Sequence, residues 1–411
     1  MREMYVLKRL EAYRLPGPGA VGVPDRELRA IVSELSPIVA PYASRETGAI
    51  GNGLYRLMGN QASPRLPSVE DYAKVLVLAA TRLGPERAVG LFAEWVEGRP
   101  IRVWEYALLK GVTTEGALRP VEGLCLDTLP SNSGEFPRSL ALQIEPHDIR
   151  YEQFANRGVL SIEHETGPAL YSPDGEAAGG FVFPPPPEIR NPDLSSLSLD
   201  GLCRVISVEA NSNVDWFRGW WDYGDADAFF LNPGSSHSSR EVRDTSSSLI
   251  SEEQLARSLE LHKLLDGFTQ LDLGIARWRR SKQAPTTEEQ LVELRIAMES
   301  VLLADDQGVV GEKRLRLAIR GAWLLGETFE QRKSYFDSLY AAYGNASKVI
   351  HAGSLKKKDQ ESKNRNLAEA QDNCRAAIMR IAKAKAMPNR TEWADLVLGG
   401  GLDCVPGSVP D

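Results

Sequence analysis

The texture of the chain changes sharply near residue 250, and that change limits the folds open to it. From Ser251 to Ala386 apolar residues recur at intervals of three and four in one long segment after another. Between Gly98 and about residue 240 they come instead in short runs cut by Gly, Pro, Ser and Asn. Spacing of three and four puts apolar side chains on one face of a helix, which has to be covered by other helices, whereas short runs between turn residues lie in strands. The expected fold class is α+β, with a helical and β-rich N-terminal region followed by an all-α bundle.

At 411 residues the chain suits two domains, or one large domain with a smaller companion. The reading divides it into a helical region over 1–100, a β-rich region over 101–240 with an aromatic- and Ser-rich linker, a bundle over 250–390 and an acidic tail over 391–411. Breakers between Leu15 and Pro24 end a first helix. Asp25 caps a second, with Leu28, Ile31, Val32 and Leu35 in phase, and others follow Ser68 and Pro85. Ala49–Pro67 reads as loop. Strands are expected at Val103–Leu109, Val121–Leu129, Leu140–Ile144, Val159–His164 and Phe181–Phe183, and a helix at Leu199–Glu209. Residues 212–248 show no clean period, and Ser235–Ser248 reads as a linker. After Ser251, whose Ser-Glu-Glu-Gln has the form of a capping box, helices are expected at 271–280, 287–303, 315–326, 332–350 and 364–386.

No apolar run reaches the roughly 20 residues of a spanning helix, so no membrane partner is expected. The start lacks the layout of a secretory signal and the cysteines form no framework, which gives a cytoplasmic expectation. Although the net charge is −8, residues 271–390 carry 22 Lys and Arg against 15 Asp and Glu. Such a basic segment fits an anionic partner or a solvated helical surface.

Most other constellations read as structure. His147, His164 and His237 have no partner at metal spacing, and Asp222, Asp225 and Asp227 lack the glycine and closing glutamate of a calcium loop, so no metal site is expected. Neither a phosphate loop nor a Gly-x-Ser-x-Gly elbow is present. The Trp216, Trp220, Trp221, Tyr223 cluster reads as core, with an aromatic cage as the alternative. Glu163-His164-Glu165 reads as an exposed polar edge. Trp278 among Arg277, Arg279 and Arg280 is either a stacking surface for single-stranded RNA or a buried ring with arginines reaching outward.

Four stretches in order carry a resemblance: Leu273–Ser281 (LGIARWRRS), Leu291–Leu303 (LVELRIAMESVLL), Leu317–Gly326 (LAIRGAWLLG) and Tyr343–Gly353 (YGNASKVIHAG). Together they resemble the HEPN superfamily, and most closely its ApeA-like branch of bacterial anti-phage proteins, over roughly residues 250–390. A fainter echo lies in Phe92–Pro100 and Val121–Pro130. The resemblance implies a metal-independent endoribonuclease of antiviral defence, without cofactor, working as a homodimer through the bundle. The family's signature is an Arg separated by four to six intervening residues from a His at a helix end. Cleavage by the RNA's own 2′-hydroxyl needs one group to take that proton and another to steady phosphate charge, and His with Arg divides those tasks.

His351, followed by Ala352-Gly353, stands at the position of that His. Its Arg is absent, because Gly344, Asn345 and Ala346 occupy the eligible positions and Ala346 aligns best. An alanine cannot stabilise phosphate charge. Lys348, Arg320 or a residue of a partner subunit is the expected replacement, which makes His351, Lys348 and Arg320 the candidate catalytic set. Asn345, Ser347, Lys356, Lys357, Lys358 and Arg277 are the implied RNA contacts. Two further readings stay open: a degenerate pseudo-nuclease that binds nucleic acid or protein partners within a defence complex, and a purely structural assembly factor.

Overall fold

The computed structural model describes residues 7, 8, 11, 25–49, 55–57, 69–97, 99–130, 155–166, 169–171, 181, 182, 188–222, 247–305, 312–352 and 360–399. It is a mixed helix and sheet structure. The helices α1 (Asp25–Ala49), α2 (Val69–Leu83) and α3 (Pro85–Glu97) pack on one another. Proline suits the first turn of α3, where an N–H has no helical acceptor anyway. Leu35 and Val39 of α1, Tyr72 and Leu76 of α2 and Phe92 of α3 interlock in a core of their own, with the Tyr72 and Phe92 rings edge to face at 6.4 Å.

The strands in chain order are β1 (Tyr55–Leu57), β2 (Ile101–Lys110), β3 (Val112–Thr113), β4 (Leu124–Thr128), β5 (Gly158–Thr166), β6 (Ala169–Tyr171), β7 (Phe181–Val182), β8 (Glu188–Ile189), β9 (Asp215–Asp222) and β10 (Ser248–Leu249). The main sheet runs β4-β5-β2-β9, all antiparallel, with β8 against the end of β5. Leu160 lies opposite Ala107 and Leu126, and Ile162 opposite Leu124, so one face of the sheet is apolar. That face joins the core that holds Leu202, Cys203, Val205 and Ile206 of α4 (Leu199–Ala210). Buried Ser207 fastens α4 to the strand after it, donating to the Cys203 carbonyl at 2.6 Å and accepting the Val214 N–H at 2.9 Å.

Several segments differ from the sequence reading. Residues 215–222, within the stretch without a period, are the edge strand β9. Its alternation is hidden because large rings point both ways: Trp220 stacks on Tyr106 at 5.1 Å on one face, while Trp221 meets His164 at 4.8 Å on the other. The supposed loop before Pro67 contains β1, paired with β6. Glu163 and His164 are buried rather than edge residues. Glu163 accepts from Arg190 at 2.8 Å, and His164 Nε2 lies 3.0 Å from Glu105 Oε2. Leu140–Ile144, Tyr223 and most of Ser235–Ser248 lie outside the described residues.

The bundle consists of α5 (Glu252–Leu265), α6 (Asp272–Gln283), α7 (Thr287–Leu302), α8 (Lys313–Leu325), α9 (Phe329–Ala352), α10 (Gln360–Ala384) and α11 (Arg390–Val397). The capping box at Ser251 is formed, with the Gln254 N–H donating to Ser251 Oγ at 3.3 Å and the Ser251 N–H donating to Gln254 Oε1 at 3.0 Å. Trp278 is wholly buried and donates from Nε1 to the Gln371 carbonyl at 2.8 Å, tying α6 to α10. Gly321 lets α8 press on α9, since a Cβ there would stand 2.3 Å from Leu339 Cδ1. The start of the supposed acidic tail is α11, capped by Asn389 and Glu392 and anchored by buried Trp393. Its brevity and few apolar positions hide it from a search for periodicity.

The change of texture at residue 250 does not coincide with a break in packing. Sheet residues such as Leu109 and Leu160, α4, and bundle residues from Leu255 to Trp393 form one continuous core. Polar ties follow the same seam: Arg375 donates to the Val208 and Glu209 carbonyls, Arg204 pairs with Asp272, and Asn211 donates to Asp372 at 2.8 Å. Among the described residues no helix is long and apolar enough to cross a membrane.

His262 of α5 sits on this seam against Gly201 at the start of α4, with Nε2 3.3 Å from Ser196 Oγ and a buried Nδ1 that has no partner. Burial, aided by the charge of Arg204 and opposed by Asp266 and the Ser196 contact, holds its pKa below the ordinary histidine value. The folded chain therefore binds this proton less readily than the unfolded chain does. The stability is present above about pH 6.5 and is lost as pH falls towards the depressed folded value. In urea melts between pH 7.5 and 5, His262→Met is expected to flatten the acid-side fall in midpoint relative to the native chain. An unchanged slope would remove this assignment.

Candidate functional site

Helix α9 carries His351 in its last turn, exposed, with Lys348 exposed one turn earlier. At four residues per step, His351, Ser347, Tyr343 with Gly344, Tyr340, Phe336 and Arg332 lie along one stripe of the helix. Ala346, where the family's Arg would align, is wholly buried in the core. An arginine at that point of α9 would be driven into packed side chains. The outward position is Ser347, one turn before His351.

A cation reaches Ser347 from elsewhere. Arg295 of α7 donates from Nη1 to Ser347 Oγ at 3.2 Å and from Nε to Glu299 Oε1 at 2.7 Å, and its guanidinium lies 4.5 Å from the centre of the Tyr343 ring. Tyr343 donates to the same Glu299 oxygen at 2.8 Å, and Lys313 Nζ lies 3.9 Å from Glu299 Oε2. Burial works to raise the pKa of Glu299, but the bonds from Arg295 and Tyr343 and the charges of Arg295 and Lys313 outweigh it and bring it below the carboxylate norm. Tyr343 is pushed up to about 12, first by burial and then by Glu299. The centre thus holds an ionised Glu299, a neutral Tyr343 and two cations, Arg295 and Lys313, so its surplus is positive. Lys348 and His351 are exposed on the last turn of the same helix, and a cation beside a histidine is a combination suited to holding an anion and moving a proton.

Arg295, Glu299 and Tyr343 were missed by the sequence reading. Their signal was available: Arg295 and Glu299 follow Leu291 by four and eight residues, at the rim of the apolar stripe of α7, where paired charges are half-buried. Other candidates fall elsewhere. Arg320 is not free to replace the absent Arg, because it is buried, pairs with both Asp305 oxygens at 2.6 and 3.0 Å, donates to the Leu302 carbonyl and lies over Trp393. Its role is to hold α8 and α11 to the end of α7. Arg277 is compensated by Glu293 at 3.0 Å and joins α6 to α7. Asn345 is half-buried on α9, off the stripe, and Lys356, Lys357 and Lys358 lie outside the described residues. Among the described residues, no three His, Cys, Asp or Glu side chains gather as metal ligands would.

No protein-family model, no curated protein and no solved structure matches the chain.

Proposed function

We propose that the chain is a HEPN-like protein of anti-phage defence that acts on RNA, with a metal-independent endoribonuclease centre at the C-terminal end of α9. His351 takes the 2′-hydroxyl proton, and Arg295, with Lys348, stabilises the charge that develops on the phosphate as the 2′-oxygen attacks and the 5′-oxygen leaves. The observation that carries this reading is the 3.2 Å contact of Arg295 with Ser347, four residues before His351. It puts a guanidinium from another helix beside the stretch where the resemblance asks for one. A homodimer through the bundle belongs to the same proposal.

The alternative reading, a degenerate pseudo-nuclease serving binding or assembly, is favoured by the commitment of Arg295 Nε to Glu299. Cleavage of a pool of single-stranded and transfer RNAs in the presence of a chelator separates the two. The native chain is expected to cut and leave cyclic-phosphate ends, His351→Ala to be inactive, and Arg295→Ala to be slower by about 10²–10³-fold when assayed well below its melting temperature, which falls because Glu299 loses its partner. A native chain that binds these RNAs without cutting them makes the pseudo-nuclease reading the correct one.

A further inference from the structure

The stripe that ends at His351 continues back along the whole of α9, and its composition is not that of a solvated helix face. Phe329, at its start, is 74% exposed and is the most exposed aromatic ring among the described residues. One turn on, the Arg332 guanidinium lies 3.5 Å from the Trp323 ring centre, with its Nε bonded to the Gly326 carbonyl at 2.9 Å. Phe336 and Tyr340 then stack at 5.4 Å, 13° from parallel. The Arg314 guanidinium lies 3.5 Å from the Tyr340 ring centre, with its Nε bonded to the Tyr340 carbonyl at 2.7 Å. Neither Arg314 nor Arg332 has a carboxylate partner among the described residues. Each is held flat, with one edge fastened and its charge unspent.

The helix is shaped for this. Gly344 interrupts a long helix at a cost of about 1 kcal/mol relative to alanine, and a Cβ there would stand 2.5 Å from Arg314 Cζ. The glycine keeps open the place where the guanidinium lies. Asp337, the acid nearest in sequence to Phe336, is taken up by Lys333.

We infer that this stripe, Phe329–Arg332–Phe336–Tyr340 with Arg314, is a track for single-stranded nucleic acid leading to the His351 end. This deepens the proposed function by naming the form of the strand, and the direction of the track rests on that reading. The open ring of Phe329 and the flat guanidiniums of Arg332 and Arg314 accept unpaired bases by stacking, and the same uncompensated cations meet phosphates. An acidic peptide would use the cations but leave the Phe329 ring without a partner, and a duplex would withhold its base faces. The track reads base faces and phosphates, which ribose and deoxyribose strands share, so it accepts both alike.

Fluorescence anisotropy of the full chain with labelled U20, dT20 and a 20-base-pair duplex, in chelator, tests this. U20 and dT20 are expected to bind within about threefold of each other and the duplex at least about tenfold more weakly. Phe329→Ser, at a position too exposed to carry the fold, is expected to weaken both single strands by about tenfold. Arg314→Gln with Arg332→Gln is expected to make the slope of log K against log salt shallower by about 1.4. Absence of binding, equal binding of the duplex, indifference to Phe329→Ser and the arginine pair, or displacement of U20 by polyglutamate with the same variant sensitivity overturns the inference. Loss of the nuclease reading and loss of the track show separately: binding without cutting removes the first, and cutting unaffected by the track variants removes the second.

Discussion

Truncating Trp278 to alanine is expected to lower the unfolding free energy by about 3–5 kcal/mol, the range for emptying a fully packed aromatic site. The indole is wholly buried, and its Nε1–H donation to the Gln371 carbonyl would be lost as well. Around it the network continues, because Gln371 in turn donates to the Ser281 carbonyl at 2.8 Å. Denaturant melts of Trp278→Ala measure the loss, and oligonucleotide affinity should change only where the fold is lost. This separates the two readings of the Arg277–Arg280 segment. A variant that melts like the native chain but binds RNA poorly would make Trp278 a stacking residue after all. The geometry of the neighbours argues against that outcome, since Arg277 is spent on Glu293 and Arg279 on the Val214 carbonyl.

Arg320→Met should be comparably costly, about 3–5 kcal/mol, because it strands Asp305 with its charge uncompensated at a largely buried site. For a core of this size that corresponds to a fall in melting temperature on the order of 10 °C. The companion variant Arg320→Met/Asp305→Leu is expected to recover most of the loss, since replacing both members of a buried pair by apolar groups removes the stranded charge. Calorimetry of the two variants gives the answer. If the double variant is no more stable than the single one, the pair is not the source of the loss, and Arg320 acts through the Leu302 carbonyl it bonds or the Trp393 ring it covers. Either way the residue belongs to the frame of the bundle rather than to its chemistry.

Much of the frame was legible because it is written in local periods. The helices from Ser251 onward announce themselves through stripes such as Leu291, Leu294, Met298 and Val301, all of which are buried in the structure. The capping box at Ser251 is a contact within four residues and needs no knowledge of the fold. What could not be read depends on distant partners. β9 has rings on both faces because each face is covered by something else, and only the neighbouring strands reveal that. Glu163 and His164 look like surface residues until Arg190 and Glu105 are brought to them from 27 and 59 positions away. The same holds for the candidate site. His351 and Lys348 could be named from one helix, but Arg295 reaches Ser347 on that helix across 52 positions, a contact that no local spacing announces.

The single core that crosses residue 250 bears on how such a chain can be inherited. Where two modules meet through a linker, recombination can exchange one and leave the other folded. Here a crossover at the change of texture would separate Leu160 and Ile206 from Leu255 and Ile378, which share one interior. The β-rich part and the bundle must therefore diverge together, each substitution on one side being tested against the packing of the other. The helices α1 to α3, with an interior of their own, are the part of the described chain most open to replacement without disturbing the rest.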